Sequence, residues 1–428
     1  MSETTSASTP RTRLVQTYDR VRQDSEALAA PLSHEAQTIQ SMEDASPVKW
    51  HLAHTSWLYE TFLLKPFFTG YEAFDESYEY LFNSYYNAVG EQYPRDKRGL
   101  ITKPGVDEVL DYRAHVDRAM RHMIGDVSDN TYPRIQKLVR LGVNHEQQHQ
   151  ELLCTDLKHG LSFDPKHPAA YDAPASARDD GAPSLAWVKY DGGLIETGVN
   201  WELEEFAFDN EGPRHKTWAE PFRLANRLIT NAEYLEFMED GGYTMSSLWL
   251  SDGWALVKKG KWGSPLYWGK SDGAWFEFTL HGHQELKPHA PVTHISFYEA
   301  AAYAAWADKR LLREDEWEIA AAAQEIDGRF LDPGTSPHPS VVNGSKAPLR
   351  QMFGDCWEWT QSSYSPYPGY RTPPGAVGEY NGKFMSNQMV LRGGSCATPS
   401  GHVRAGYRNF FYPHQRWQFS GIRLAEDA

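Results

Sequence analysis

Positive charge is in short supply in this chain: 42 Lys and Arg stand against 57 Asp and Glu, a formal net charge of -15. Nucleic acids and anionic membranes attract basic surfaces, so this balance excludes both as expected partners. Cysteine is scarcer still, with Cys154, Cys356 and Cys396 in 428 residues. An odd, sparse set argues against a disulfide framework and for a reducing compartment. No uninterrupted apolar run approaches membrane-spanning length. The start, Met1 to Arg13, is Ser/Thr-rich and lacks the apolar core of a secretory leader. Internal repeats are lacking too. A soluble cytoplasmic protein is the expectation, with room for a homo-oligomer. Aromatic residues, by contrast, abound: 15 Trp and 23 Tyr can fill large cores and line pockets. The length exceeds one average domain and suggests two.

The first domain is read over residues 10–162 as four helical segments. They run from about Thr12 to Ala30, from Ser46-Pro47 through Trp50, His54, Trp57, Leu58 and Phe62, from Val106 to Ile124, and from near Thr131-Tyr132-Pro133 to about Lys158. Ser46 is placed as N-cap with Pro47 at the first helical position. A long aromatic connection, Phe67 to Pro104, separates the second from the third. An antiparallel four-helix bundle is the economical arrangement.

The last of these helices carries Val143-Asn144-His145-Glu146-Gln147-Gln148-His149-Gln150-Glu151. Helical positions four apart differ by about 40° of rotation and one turn of rise. His145 and His149 can therefore aim both imidazoles at one point, as two ligands of a metal ion. Bundles build metal sites from facing helices, so a third ligand is sought on the second. Trp50-His51-Leu52-Ala53-His54 offers two candidates. His54 shares a stripe with Trp50, Trp57 and Leu58 and should point inward. His51 falls near the same stripe one turn earlier, and either ring could instead be a core histidine bonded to a carbonyl.

Read literally, His145-Glu146-x-x-His149 is the signature of zinc metalloproteases, with Glu146 as general base. The extended form demands Gly and a third His where this chain has Leu152 and Thr155. The other form needs a downstream Glu, and none occurs between Glu151 and Glu196. A three-histidine site with open positions is left, suited to non-haem Fe(II) or to zinc with a bound water.

Residues 163–184 are rich in Pro, Ala, Asp and Ser, including Asp164-Pro165 and Pro174-Ala175-Ser176, and are read as a linker. Beyond them, residues 185–428 shift to many Gly and Trp in short strand-like runs, such as Gly193 to Gly198, Phe222 to Leu224 and Val390 to Gly394. Helices are expected over Asn231 to Asp240, over Ser296 to Lys309 and after Arg313. The fold class is α+β.

Trp50-His51-Leu52-Ala53-His54, Asn83-Ser84-Tyr85-Tyr86-Asn87 and the His145, His149, Glu151 spacing together resemble the ergothioneine sulfoxide synthases. In these, a DinB-like four-helix bundle is fused to a formylglycine-generating-enzyme-like domain with a C-type-lectin-like fold. Further phrases resemble that second domain: Phe208-Asp209-Asn210-Glu211-Gly212-Pro213, Leu311 to Glu318, Gly354-Asp355-Cys356-Trp357-Glu358-Trp359, and Arg392-Gly393-Gly394-Ser395-Cys396 through Ala425. A formylglycine-generating enzyme uses a cysteine pair after Arg-Gly-Gly-Ser. Here Cys396 has no second thiol before Arg408, so that chemistry lacks its parts.

The resemblance implies Fe(II), held by His54, His145 and His149, with dioxygen, a thiol donor and hercynine (N-alpha-trimethylhistidine) as substrates. It implies a tyrosine of the pair Tyr85-Tyr86 as proton donor, and Arg95 and Arg98 as grips for the donor's carboxylate. Gln148 and Asn409 match residues that contact the histidine substrate. Phe410, Phe411 or Trp417, in or near a C-terminal loop expected to close over the metal, would face the trimethylammonium. The branch using gamma-glutamylcysteine has an acidic residue at the position of Phe411; with Phe411 and the tyrosine pair, this chain resembles the branch using free cysteine. Alternatives remain in view: an ovothiol-type synthase acting on histidine, gamma-glutamylcysteine as donor, a zinc-dependent thiol transferase, and a binding module built on the lectin-like fold.

Overall fold

The computed structural model describes residues 9–173, 179, 181–333, 335, 337–342 and 347–428. The chain divides into two compact units, Met1–Leu161 and Ser162–Ala428. Pro174-Ala175-Ser176, part of the expected linker, lies outside the described residues; just before it, Ala170 and Tyr171 donate their backbone N–H groups to Leu280 O within the second unit.

Four long helices form the first unit: α1 (Pro10–Ala29), α2 (Val48–Tyr59), α3 (Val106–Asp126) and α4 (Tyr132–Leu161). Helix α2 packs against both α3 and α4, and α1 also packs on α3 and α4. Every residue of α2 is buried, including Lys49, His51, His54, Thr55 and Ser56. A helix enclosed on all sides must satisfy its polar side chains internally, and this one does so at every position but the Tyr59 hydroxyl, which finds no partner among the described residues. Lys49 Nζ donates to the carbonyls of Ile101 and Pro104, and Thr55 accepts from Arg113. The expected cap is corrected. The helix opens at Val48 with Pro47 extended in the cap position. Ser46 serves elsewhere: its backbone N–H donates to Asp156 Oδ2 at 2.8 Å and its hydroxyl accepts from Arg98 at 2.9 Å. At its other end α2 passes into a π-helical turn, Glu60–Leu64, rather than continuing as α-helix through Phe62. There the buried Glu60 carboxylate accepts from Tyr71 (2.5 Å) and Tyr112 (2.8 Å).

The aromatic connection is stitched to α2 by three ring N–H groups. Trp50 Nε1 donates to Leu81 O, His54 Nδ1 to Phe82 O and Trp57 Nε1 to Glu79 O, at 3.2, 2.6 and 3.2 Å. Spaced four and three apart, these donors share one helix face.

A charged cluster fills the opposite side of the bundle. Glu146 of α4 accepts from Arg22 Nη1 (3.0 Å), Arg113 Nη2 (3.0 Å) and Ser25 Oγ (2.7 Å), while Arg22 Nε also reaches Asp117 at 2.7 Å. The paired guanidinium groups hold Asp117 below the usual carboxylate range against burial, which alone would raise it.

In the second unit, a four-stranded sheet orders Trp187–Tyr190, Phe222–Ala225, Leu424–Asp427 and Arg310–Leu311. A second orders Asn409–Phe411, Met389–Arg392, Trp357–Ser363 and Ser420–Gly421. Trp317, Phe222, Leu224, Leu312 and Phe353 are core residues of one buried cluster, and Trp357 and Trp359 are also buried. Arg423, fully buried, binds Glu358 at 2.8 Å and three backbone carbonyls. Helices Asn231–Glu239 and Phe297–Trp306 open on capping boxes, Thr230 with Glu233 and Ser296 with Glu299. A helix over Ser251–Gly260 was not expected from the sequence; its Gly253 lies under the Tyr298 ring, where a Cβ would stand 2.7 Å from that side chain.

Candidate metal centre

His54 on α2 and His145 and His149 on α4 bring their ligand atoms within 4.8 Å of one another. Ring centroids lie 5.0 Å apart for His54 and His145, 4.8 Å for His54 and His149, and 4.5 Å for His145 and His149. His54 and His145 are buried and His149 is half-buried. Burial pulls the pKa of each well below the ordinary histidine value, to about 3 for His145, and repulsion among the histidines adds to it. All three are therefore neutral at pH 7, as metal ligation requires.

The residues present fit a divalent transition metal. His54 carries its proton at Nδ1, bonded to Phe82 O, so its Nε2 presents a lone pair, 3.2 Å from His145 Nε2. A cation bonded to imidazole at about 2.1 Å holds two donors at a right angle about 3.0 Å apart. Of the two candidates left open on α2, His54 is in the cluster. His51 stands behind it, with Nδ1 2.8 Å from His149 Nδ1 and Nε2 3.1 Å from Asp156 Oδ2. Asp156 escaped sequence reasoning, although it follows His149 by seven residues and so shares its helix face. Glu146 points away into the Arg22–Arg113 cluster and cannot serve as the general base of a metalloprotease.

Trp50 and Trp57 sandwich His54, with centroids at 4.6 and 5.4 Å. Tyr86 is buried against Trp57 and Phe62, and Tyr85 is half-buried and stacked on Tyr86 at 4.9 Å. Arg95 and Arg98, the expected carboxylate grips, fall in one 3-10 helix, Arg95–Leu100, and they differ. Arg95 is exposed and donates to Asp44 O. Arg98 is buried, its guanidinium 3.5 Å over the Trp50 ring, with hydrogen bonds to Ser46 and Ser84. Burial, then repulsion from Arg95, lowers its pKa to about 9, which still leaves it charged at pH 7. Among the described residues it makes no ion pair, and its Nε has no hydrogen-bond partner. Gln148 is half-buried beside His149.

Three of the second unit's candidates, Asn409, Phe410 and Phe411, lie on a strand rather than in a loop, pairing with Leu391, Val390 and Met389, whereas Trp417 lies beyond it. Asn409 Oδ1 accepts from Phe410 N. Phe410 stacks on Tyr364 at 4.1 Å, and Phe411 meets Trp417 edge-on at 6.4 Å. Cys356 and Cys396 are buried, and burial pushes the Cys356 thiol well above its usual value. No helix among the described residues is long and apolar enough to cross a membrane.

Comparison with known proteins gives two matching families. Residues 17–153 match the DinB superfamily and residues 175–428 the sulfatase-modifying factor enzyme 1-like domain. The chain is 35% identical over 321 residues to hercynine oxygenase of Mycolicibacterium smegmatis, covering 67% of this chain and 71% of that protein. It is 33% identical over 314 residues to hercynine oxygenase of Mycolicibacterium thermoresistibile, covering 67% and 68%. To ergothioneine biosynthesis protein 1 of Schizosaccharomyces pombe it is 27% identical over 240 residues, 53% of this chain and 28% of that protein. A helical unit and a sulfatase-modifying unit in this order, with similarity of that extent, place the chain in the hercynine oxygenase family, as an oxygenase-class enzyme.

Proposed function

We propose that this enzyme joins the sulfur of cysteine to imidazole C2 of hercynine at a ferrous ion held by His54, His145 and His149. The observation that carries this reading is the convergence of three neutral imidazoles, two buried and one half-buried, from two helices. A ferrous ion there would supply dioxygen activation and a template for the thiol. In the overall reaction the S–H and C2–H bonds break and an S–C bond forms. One oxygen atom ends on sulfur as a sulfoxide, and the other leaves as water with the two protons.

The chain's own residues do the positioning. Arg98 is a buried positive charge that Asp156 attracts without forming an ion pair, and we assign it the carboxylate of the thiol donor. Arg95, exposed and engaged with Asp44, adds charge at the entrance. Gln148, beside His149, is assigned to hercynine. Within the second unit, Phe411 and Trp417 are aromatic faces of the kind that bind a quaternary ammonium, and Phe410 stacks on Tyr364. Phe411, where an acidic side chain would read a donor amine, favours cysteine over gamma-glutamylcysteine. Of the tyrosines, Tyr85 is assigned proton delivery because it is half-buried, whereas Tyr86 is enclosed by Trp57 and Phe62.

Anaerobic reconstitution with Fe(II), followed by assay of each thiol against hercynine and histidine, tests the reading. One sulfoxide formed per dioxygen consumed is expected, fastest with cysteine and hercynine. Iron-loaded protein that consumes no dioxygen with any pair overturns it. Arg98→Met removes a charge-assisted contact of about 1.5–3 kcal/mol, so kcat/KM for the thiol should fall about 10- to 150-fold, through KM. An unchanged thiol KM removes Arg98 from the donor site. Tyr85→Phe should divert turnover from sulfur–carbon coupling toward plain thiol oxidation, read as the product ratio; an unaltered ratio assigns the proton elsewhere.

A further inference from the structure

The three histidines differ in what stands behind them, and the difference is built from side chains that no ligand role accounts for. His54 is backed by a backbone carbonyl, Phe82 O at 2.6 Å. His149 is backed by another imidazole. Its Nδ1 lies 2.8 Å from His51 Nδ1, and the far nitrogen of His51 lies 3.1 Å from Asp156 Oδ2. All members of this row belong to α2 and α4, and His51 is 3% exposed. The same carboxylate oxygen accepts the Ser46 backbone N–H at 2.8 Å, so Asp156 is anchored independently of His51.

Hydrogen-bond bookkeeping along the row has one solution for a neutral His51. An ionised carboxylate only accepts, so the proton of His51 sits on Nε2 and its Nδ1 is a lone pair. That lone pair can only accept, so His149 must carry its own proton on Nδ1. The nitrogen of His149 that remains, Nε2, is then left as a lone pair, as ligation requires. Reverse the polarity of the row and His149 would turn an N–H toward the metal, where it could not coordinate.

We propose that Asp156 and His51 are positioning residues that fix the metal-binding tautomer of His149, through an Asp156–His51–His149 row of hydrogen bonds. This rests on the ferrous reading of the centre. Carboxylates or carbonyls behind a ligating histidine commonly tighten metal binding about 10- to 100-fold, and here the effect is relayed through a second ring. His51 never touches the ion.

The test compares metal-free full-length wild type with His51→Phe, Asp156→Ala and Asp156→Asn, by anaerobic chelator competition for Fe(II) and by proton NMR of ring N–H signals. His51→Phe keeps a ring of similar size but removes the acceptor, and should bind Fe(II) about 10- to 100-fold more weakly. Asp156→Ala frees His51 to switch tautomers and should weaken binding comparably. Asp156→Asn can present its carbonyl oxygen to both His51 and Ser46, and should recover at least about tenfold over the alanine variant. The far-downfield signal of the His149 Nδ1–H should appear in metal-free wild type and vanish in His51→Phe. Wild-type affinity in folded His51→Phe protein overturns the inference while leaving the centre standing, as does an asparagine variant no better than alanine. Wild type that binds no Fe(II) overturns the centre and the inference with it. Should His51→Phe fail to fold, the Asp156 pair decides alone.

Discussion

His54→Ala protein is expected to lose ferrous ion as completely as His145→Ala or His149→Ala protein, with dioxygen uptake falling to background. The reason is the division of the cluster between helices. α4 supplies a pair one turn apart, but a pair alone leaves the cation with no donor from α2, and His54 is the α2 ring whose nitrogen stands 3.2 Å from His145 Nε2. Removing a direct ligand should cost more than the roughly 10- to 100-fold that removal of a partner behind a ligand costs. Metal content after desalting, read beside an oxygen electrode, gives the answer. Because His54 is packed between Trp50 and Trp57, His54→Gln serves as the companion variant: it fills more of the space and separates loss of the ligand from loss of packing. Stoichiometric iron and full turnover in either folded variant would remove His54 from the ligand set.

Glu146→Ala should fail in a different way, by unfolding the first unit rather than by stopping chemistry. The carboxylate is fully buried and shared by Arg22, Arg113 and Ser25. Removing it leaves Arg22 and Arg113 with one carboxylate each, Asp117 and Glu26, and breaks a buried charged network at a cost of about 3–5 kcal/mol. For a unit of this size that corresponds to roughly 6–20 °C in Tm. Glu146→Gln, which keeps an acceptor, should lose less. A metalloprotease predicts the reverse: a glutamate whose loss leaves the melting curve untouched and abolishes turnover. Thermal unfolding followed by circular dichroism separates the two, and an unshifted melt with lost activity would return Glu146 to the chemistry.

The bundle and its histidine pair were legible because helical spacing is a local property: His145 and His149 must share a face whatever surrounds them. The same logic brought His54 forward, and could not separate it from His51, because both fall near one stripe. What divides them is Asp156, distant in sequence and two turns beyond His149 on the other helix. Arg98 was legible as a charge but not as a buried one, since its burial depends on Trp50 and on two serines from separate segments. Glu146 carried a misleading local signature whose meaning is set by arginines contributed by α1 and α3. In the second unit, helix Ser251–Gly260 carries a weak local signal, because Gly253 has low helix propensity, and its packing beneath Tyr298 outweighs that. The strand Asn409–Phe411 was read as a loop for want of its partner, Met389–Leu391.

The three ring donors that stitch Glu79, Leu81 and Phe82 to α2 have an evolutionary consequence. Trp50 is at once the platform beneath Arg98 and a neighbour stacked on His54, and the segment it fastens leads directly into Asn83 to Tyr86. A lineage that reshapes this segment must shift the carbonyl that sets the His54 ring. The shape of the connection and the setting of that ring are thus inherited together, and drift in one is constrained by selection on the other.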